Sequence, residues 1–267
     1  MRLSLWSIVP LVPEACKTLI DNGFTITAEK SDARFFKDEG IQRWKELIKR
    51  FTDGKGTILD LEFLQDDSGR VGNSLQRWFL GRRVAAFGYH AGFTGSAVGI
   101  DIWCHNTNPA LGKFPPIKPY PNQDRLIRAI KLRLATAVQA NKGSYPKIMV
   151  MGAKGRCGGG AVDFAKAVGI PETNILGWDM AETVKGGPFD EILGVDIFIN
   201  CIYLSSKNPT LPYTGKHCQA FPSTQVMVDV SCDYTSPNNP VPVYDRATYF
   251  DKPTLQVQAG SSNPLSK

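Results

Sequence analysis

The chain has 267 residues, 42% of them hydrophobic, enough for one large or two ordinary domains with real cores. Its 31 basic and 25 acidic residues leave a net charge of +6 that is spread along the chain, which suits an enzyme of anionic ligands better than a nucleic-acid surface. Six cysteines without a Cys-x-x-Cys pair and only three histidines argue against zinc and for a reducing compartment, and no apolar run approaches the roughly twenty residues of a bilayer span.

Pro13 to Asn22 is helical in pattern, with proline in the first turn and Gly23 as its stop, and Phe24 to Thr27 follows as a strand. This is the expected first β/α unit of an N-terminal domain. Ile41, Trp44, Leu47, Ile48 and Phe51 share one face of a predicted helix, and Thr57 to Leu64 alternates as a strand with Glu62 among its apolar residues. A carboxylate in such a strand usually stands on the solvated face. Asp66 to Gly69 is a predicted turn, and Val71 to Gly81 interrupts the pattern. Arg82-Arg83-Val84-Ala85-Ala86-Phe87-Gly88 then leads into a small-residue segment up to Trp103. Gly88, Gly92, Gly95 and Gly99 would let it pack closely on a neighbour or a bound ligand. Five prolines between His105 and Gln123 predict a loop, and Asp124 is the predicted cap of a helix running to Gln139. A domain boundary is expected near residue 140.

The next stretch is the most informative. Ile148 to Met151 is a short apolar run, the pattern of a parallel strand covered on both faces, and it runs into Gly152, Gly155 and Gly158. In a dinucleotide site one glycine makes the tight turn, one lets backbone approach the pyrophosphate, and one lets helix and strand pack closely. A predicted helix over Gly160 to Val168 stops at Gly169 and Pro171, and its N-terminus favours an anion through unpaired N–H groups and its dipole. A second strand, Asn174 to Trp178, ends at Asp179, 24 positions after Gly155. A carboxylate there can accept both adenosine ribose hydroxyls and would repel a 2′-phosphate, selecting NAD over NADP. The spacing is Gly-x-x-Gly-x-x-Gly rather than the commoner Gly-x-Gly-x-x-Gly, so a glycine-rich turn without a ligand is the alternative.

Val195 to Ile202 and Thr224 to Ser231 are predicted buried parallel strands, and both end in polar residues. Ligands of an open parallel sheet lie beyond the carboxyl ends of its strands, so Tyr203, Ser231 and Asp233 are expected to line a crevice with Gly155 and Arg156.

These motifs together resemble the fungal saccharopine dehydrogenases, the NAD-dependent, lysine-forming enzymes of the aminoadipate pathway. The resemblance covers most of Thr57 to Ala259. It is carried by Gly-Ala-Lys-Gly-Arg-Cys-Gly from Gly152, Gly-Gly-Pro-Phe-Asp-Glu from Gly186, Ile-Phe-Ile-Asn-Cys-Ile-Tyr-Leu from Ile197 and Val-Asp-Val-Ser-Cys-Asp from Val228, with Asp-Leu-Glu-Phe-Leu at Asp60 and Arg-Arg-Val-Ala-Ala-Phe-Gly at Arg82. It implies an α/β fold of two Rossmann-like domains with parallel sheets: a shortened, incomplete substrate-side domain over 1–140 and an NAD-binding domain over 141–267 without the family's C-terminal helices. The implied reaction takes saccharopine, NAD and water to lysine, 2-oxoglutarate and NADH. Carried over by position, NAD would lie at Arg82, Gly155, Arg156, Asp179, Thr183, Tyr203 and Val230, and saccharopine at Arg83, Phe87, Ser231 and Asp233, with Glu62 tuning charge nearby. Two adjacent arginines suit a tricarboxylate substrate, since each guanidinium is a fork-shaped donor. Cys157 and Cys201 match a pair the family can join as a disulfide, with thiols expected in a reducing compartment. The expected partners are these small molecules, with neither nucleic acid nor membrane, for a monomeric cytoplasmic protein. A peroxisomal home stays open if the native C-terminus lies beyond this chain.

The sequence departs from the family in its N-terminal part. The family's catalytic lysine and histidine precede a motif that resembles Phe36-Lys37-Asp38-Glu39. Between Glu29 and Phe36 the lysine's segment is missing, and Arg34, which cannot exchange protons near neutral pH, stands about where the histidine would be. Val9-Pro10-Leu11-Val12-Pro13 replaces the stretch expected to carry a substrate arginine. Two readings follow: a working dehydrogenase, or an inactive NAD-binding relative or imperfect gene model of one.

Overall fold

The computed structural model describes residue 21, the backbone of residues 65–66 and 82–83, and residues 86–202, 225–232, 234 and 239–257. The helix and strand expected at Ile41–Phe51 and Thr57–Leu64 lie outside these, as does the N-terminal unit apart from the helical, exposed Asp21. Two short strands, β1 (Gln65–Asp66) and β2 (Arg82–Arg83), form a two-stranded sheet, so Asp66 belongs to a strand rather than to the expected turn.

The described fold belongs to the compact unit that holds Ala86–Lys267. Its centre is a parallel sheet of four strands, β3 (Ile148–Met151), β4 (Ile175–Trp178), β5 (Ile197–Asn200) and β6 (Val226–Asp229), in the order β4-β3-β5-β6. The chain leaves β3 for one neighbour, β4, and returns to its other side with β5, so the order reverses at β3/β5. Met151 pairs with both Trp178 and Asn200, and Asn200 pairs with Asp229, which brings the carboxyl ends of the strands level.

Both faces of the sheet are covered, which is why the strands read as continuous apolar runs. Ile148, Val150, Ile197, Ile199, Val226 and Val228 point into one cluster with helices α1 (Gly88–Asn106), α2 (Gln123–Ala140) and α3 (Arg156–Ala167). Met149, Met151 and Phe198 alternate with them and pack against Phe189, Ile192, Val195, Val241 and Val243 on the opposite face. The division expected at residue 140 falls inside this unit: α1 and α2 precede it in sequence, yet Phe93, Ile100, Ile130 and Leu134 share the cluster of the sheet that follows.

The small-residue segment after Phe87 is the helix α1. Its glycines recur at intervals of four, three and four, which puts them on one helical stripe. A Cβ at Gly92 would lie 1.8 Å from the Cys157 carbonyl oxygen, one at Gly95 2.8 Å from Val230 and one at Gly99 2.8 Å from Val228, so the stripe lies directly against α3 and β6. Tyr89 donates a 2.8 Å hydrogen bond to Asp163 across the same contact, and Phe93 meets Phe164 edge to face.

Helix α3 starts at Arg156, four residues before the predicted start at Gly160, despite three consecutive glycines. Each interior glycine costs about 1 kcal/mol relative to alanine, and packing offsets that cost. A Cβ at Gly158 would sit 2.1 Å from the Gly152 carbonyl oxygen, and one at Gly160 2.0 Å from the Tyr89 carbonyl oxygen. Helix α2 is capped by Asn122, whose Oδ1 accepts from the Arg125 N–H at 3.0 Å, and the predicted cap Asp124 lies in its first turn instead.

Adjacent glycines of α3 therefore respond oppositely to one methyl group. Gly160→Ala forces two backbones apart and should destabilise by about 2–4 kcal/mol. At Gly159 the nearest atom to a Cβ is 4.0 Å away, so Gly159→Ala should stabilise by about 0.5–1 kcal/mol. Denaturant titration of the three proteins measures both signs.

Candidate functional site

The site lies at the carboxyl ends of β3, β4 and β5. Gly152 leaves β3 with φ +83°, a conformation a side chain would strain, and both its N–H and that of Ala153 donate to the Trp178 carbonyl, at 2.8 and 3.0 Å. The turn closes with the Gly155 N–H on the Gly152 carbonyl at 3.0 Å. Gly155 is the extended cap of α3 and is exposed, with only the Gly152 oxygen, at 3.2 Å, near where its Cβ would be. The first bond of α3 runs from Gly159 to Gly155, so the N–H groups of Arg156, Cys157 and Gly158 have no partner four residues back. Unpaired N–H groups at a helix start favour an anion. Gly158 holds α3 tight against the turn, so Gly152 turns and Gly158 packs as their spacing predicts.

Asp179 caps a short helix, α4 (Met180–Thr183), directly after β4. Its Oδ1 accepts from the Met180 N–H and its Oδ2 from the Lys154 N–H, each at 2.9 Å, so one carboxylate ties the glycine turn to the end of the neighbouring strand. Glu182 completes a capping box by accepting from the Asp179 N–H at 2.7 Å. That bond is the main cause that holds the Glu182 carboxyl below its ordinary range. The Thr183 hydroxyl donates to the Asp179 carbonyl at 3.0 Å.

At the β3/β5 switch, the Gly152 turn meets the chain leaving β5: a Cβ there would lie 2.8 Å from Ile202 and 3.1 Å from the Cys201 carbonyl oxygen. Cys157 and Cys201 are free thiols that share a hydrogen bond. The Cys201 S–H as donor, with Cys157 in the first turn of α3, lowers the Cys157 thiol, while that same bond and burial raise Cys201. One level further along, the buried Asn200 and Asp229 face each other across β5 and β6, Nδ2 to Oδ1 at 2.9 Å, and the Tyr244 hydroxyl donates to the other Asp229 oxygen. Burial and then the Asp229 charge push the Tyr244 hydroxyl well above its ordinary range, which keeps it a donor. The Asn200 Oδ1 is buried without a hydrogen-bond partner among the described residues.

Of the residues singled out from sequence, the structure brings Gly155, Arg156, Cys157, Asp179 and Cys201 to this edge. Val230, bonded through its N–H to the Asn200 carbonyl at 3.0 Å, and Ser231, whose hydroxyl donates to the Ile202 carbonyl at 2.8 Å, stand beside them. Phe87 precedes α1, and a Cβ at Gly88 would lie 3.8 Å from both the Arg156 Cβ and the Cys157 nitrogen, so the starts of α1 and α3 adjoin. Arg82 and Arg83 are described in backbone alone, and Glu62, Tyr203 and Asp233 lie outside the described residues. Sequence reading missed Glu182, Asn200, Asp229 and Tyr244. The polar ends of the two strands pointed to Asn200 and Asp229, and a Glu three residues after Asp179 is a capping-box spacing.

The cysteines give a direct test. Iodoacetamide labelling followed across pH should modify Cys157 at a lower pH than an ordinary thiol and before Cys201. Cys104, buried and pushed up to about 12, should stay unmodified in the folded protein. Labelling of Cys201 before Cys157 would contradict the shared hydrogen bond.

No protein-family model matches the chain. The saccharopine dehydrogenase [NAD(+), L-lysine-forming] of Schizosaccharomyces pombe is 39% identical, across 95% of this chain and 79% of that protein. That of Yarrowia lipolytica is 47% identical across 94% of this chain and 64% of its own length, and that of Neurospora crassa 48% identical across 83% and 56%. The alignment with the first runs over 304 positions, more than the 267 residues available here, so that relative carries residues within the aligned stretch that this chain lacks. At this identity and coverage, the chain belongs to the family of NAD-dependent, lysine-forming saccharopine dehydrogenases.

Proposed function

We propose that the chain binds NAD at the glycine turn and serves the oxidative cleavage of saccharopine, with NAD and water, to L-lysine, 2-oxoglutarate and NADH. The observation that supports this reading is the tie from the Lys154 N–H to the Asp179 carboxylate, which holds an acidic group beside the exposed glycine turn at Gly155. In it, the N–H groups of Arg156, Cys157 and Gly158 and the Arg156 guanidinium hold the pyrophosphate. Asp179 accepts from the adenosine ribose, with Thr183 supporting its loop. Val230 and Tyr203 border the rest of the cofactor, and Arg82 contributes a second guanidinium.

By resemblance to the family, the saccharopine-binding role falls to Arg83, Phe87, Ser231 and Asp233, with arginine as the partner for carboxylates and Glu62 adjusting charge. The bound nicotinamide supplies the hydride acceptor for oxidation of the secondary amine. Asp229, fixed by Asn200 and Tyr244, holds the ends of β5 and β6 in register where Val230 and Ser231 emerge. For proton transfer the chain lacks the family's lysine-bearing segment before Phe36, and Arg34 cannot serve as a base. That observation favours a second reading, an NAD-binding relative without turnover.

Incubation of the full chain with saccharopine and NAD separates the two. NADH fluorescence rising with equal amounts of lysine and 2-oxoglutarate is the expected result; a folded protein that binds NAD and forms no NADH establishes the second reading. Asp179→Ala should weaken NAD by roughly tenfold to a hundredfold, the loss of a charge-assisted hydrogen bond of about 1.5–3 kcal/mol. Calorimetric titration measures this, and equal NAD affinity in the two proteins would show that the turn is structural alone.

A further inference from the structure

We propose that Glu182 is a second specificity-determining carboxylate, which together with Asp179 keeps the corner beyond β4 net negative and so turns away a dinucleotide bearing a 2′-phosphate. The proposal rests on the reading of the glycine turn as an NAD site. Asp179 alone is a weak guard. Both its oxygens already accept backbone N–H groups, and Lys154, whose own N–H donates one of those bonds, brings a positive charge that acts on the Glu182 carboxyl at the same corner. One aspartate beside one lysine is close to neutral, and a neutral corner with a lysine in it would welcome a 2′-phosphate.

Glu182 changes that balance. Its Oε2 is held 2.7 Å from the Asp179 N–H, which fixes the carboxylate on the same corner rather than leaving it to wander in solvent. The Asp179 N–H first, then its own backbone N–H, keep it ionised, and the Lys154 charge acts in the same direction against the repulsion of Asp179. The next cation along, Lys185, is engaged elsewhere: it pairs with Glu191 and lies over the Trp178 and Phe189 rings. Asp179, Glu182 and Lys154 thus sum to one negative charge at the place where the 2′ position of the ribose is expected, and a phosphate there brings about 1.5–2 more.

The capping box makes a clean experiment possible, because glutamine serves the same hydrogen bond as glutamate at that position. Glu182→Gln removes the charge and keeps the geometry, whereas Glu182→Ala removes both. Calorimetric titration of NAD and of NADP into the full chain should show NAD still bound by Glu182→Gln and the NADP to NAD affinity ratio raised about fivefold to tenfold at low salt. That gain should shrink as salt screens the corner, which the loss of a merely structural contact would not do. Glu182→Ala should raise the same ratio while weakening both cofactors. An unchanged ratio in Glu182→Gln, with normal NAD binding, overturns the role of Glu182 alone. Failure of the unmodified protein to bind NAD overturns the reading of the site, and this proposal with it.

Discussion

The structure depends on how closely two helices and a turn approach one another through glycine. Gly158 lets α3 lie against the Gly152 carbonyl, and Gly160 and Gly92 let α3 and α1 bring their backbones together. No side chain fits at these points, so the N-terminus of α3 has one position relative to β3. That position sets how the turn at Gly155 is presented, and the turn is where we propose that NAD binds. The same contact fixes where Cys157 faces Cys201 and where α1 begins beside Arg156.

Around this packed centre the polar groups have structural and chemical duties at once. Asp179 spans from the glycine turn to α4, so the carboxylate proposed to accept the ribose also fastens β3 to β4 beyond their carboxyl ends. Asp229 is similar on the other side of the switch: Asn200 and Tyr244 satisfy it, and it anchors the residues that follow β6. A carboxylate buried at a strand end costs several kcal/mol unless it is hydrogen-bonded, which is why Asp229 is held by Asn200 and Tyr244. Preorganisation of this kind means that little rearrangement remains for a ligand to drive.

Much of this was legible in the sequence, for physical reasons that differ from element to element. The four strands were readable because a sheet covered on both faces demands continuous apolar runs, and β3, β4, β5 and β6 fall inside the predicted stretches. The turn at Gly152 and the close packing at Gly158 followed from spacing, and the position of Asp179 from its place after β4. Helix α1 was not recognised because glycine has poor helix propensity, although the four-three-four spacing of its glycines is a helical period. The early start of α3 was hidden for the same reason, since only the contacts made by Gly158 and Gly160 justify three glycines in a row. The Asn200–Asp229–Tyr244 network joins residues that are far apart in sequence, and only the β5/β6 register brings the first two together.

In the proposed function, the turn from Gly152 to Gly158 and the corner at Asp179 form one NAD site. Amide hydrogen exchange of the full chain with and without NAD tests it at residue level. Exchange at Arg156, Cys157, Gly158 and Asp179 should slow when NAD is present, with the far ends of α2 and β3 unaffected. Protection confined to other segments, or none at saturating NAD, would contradict it.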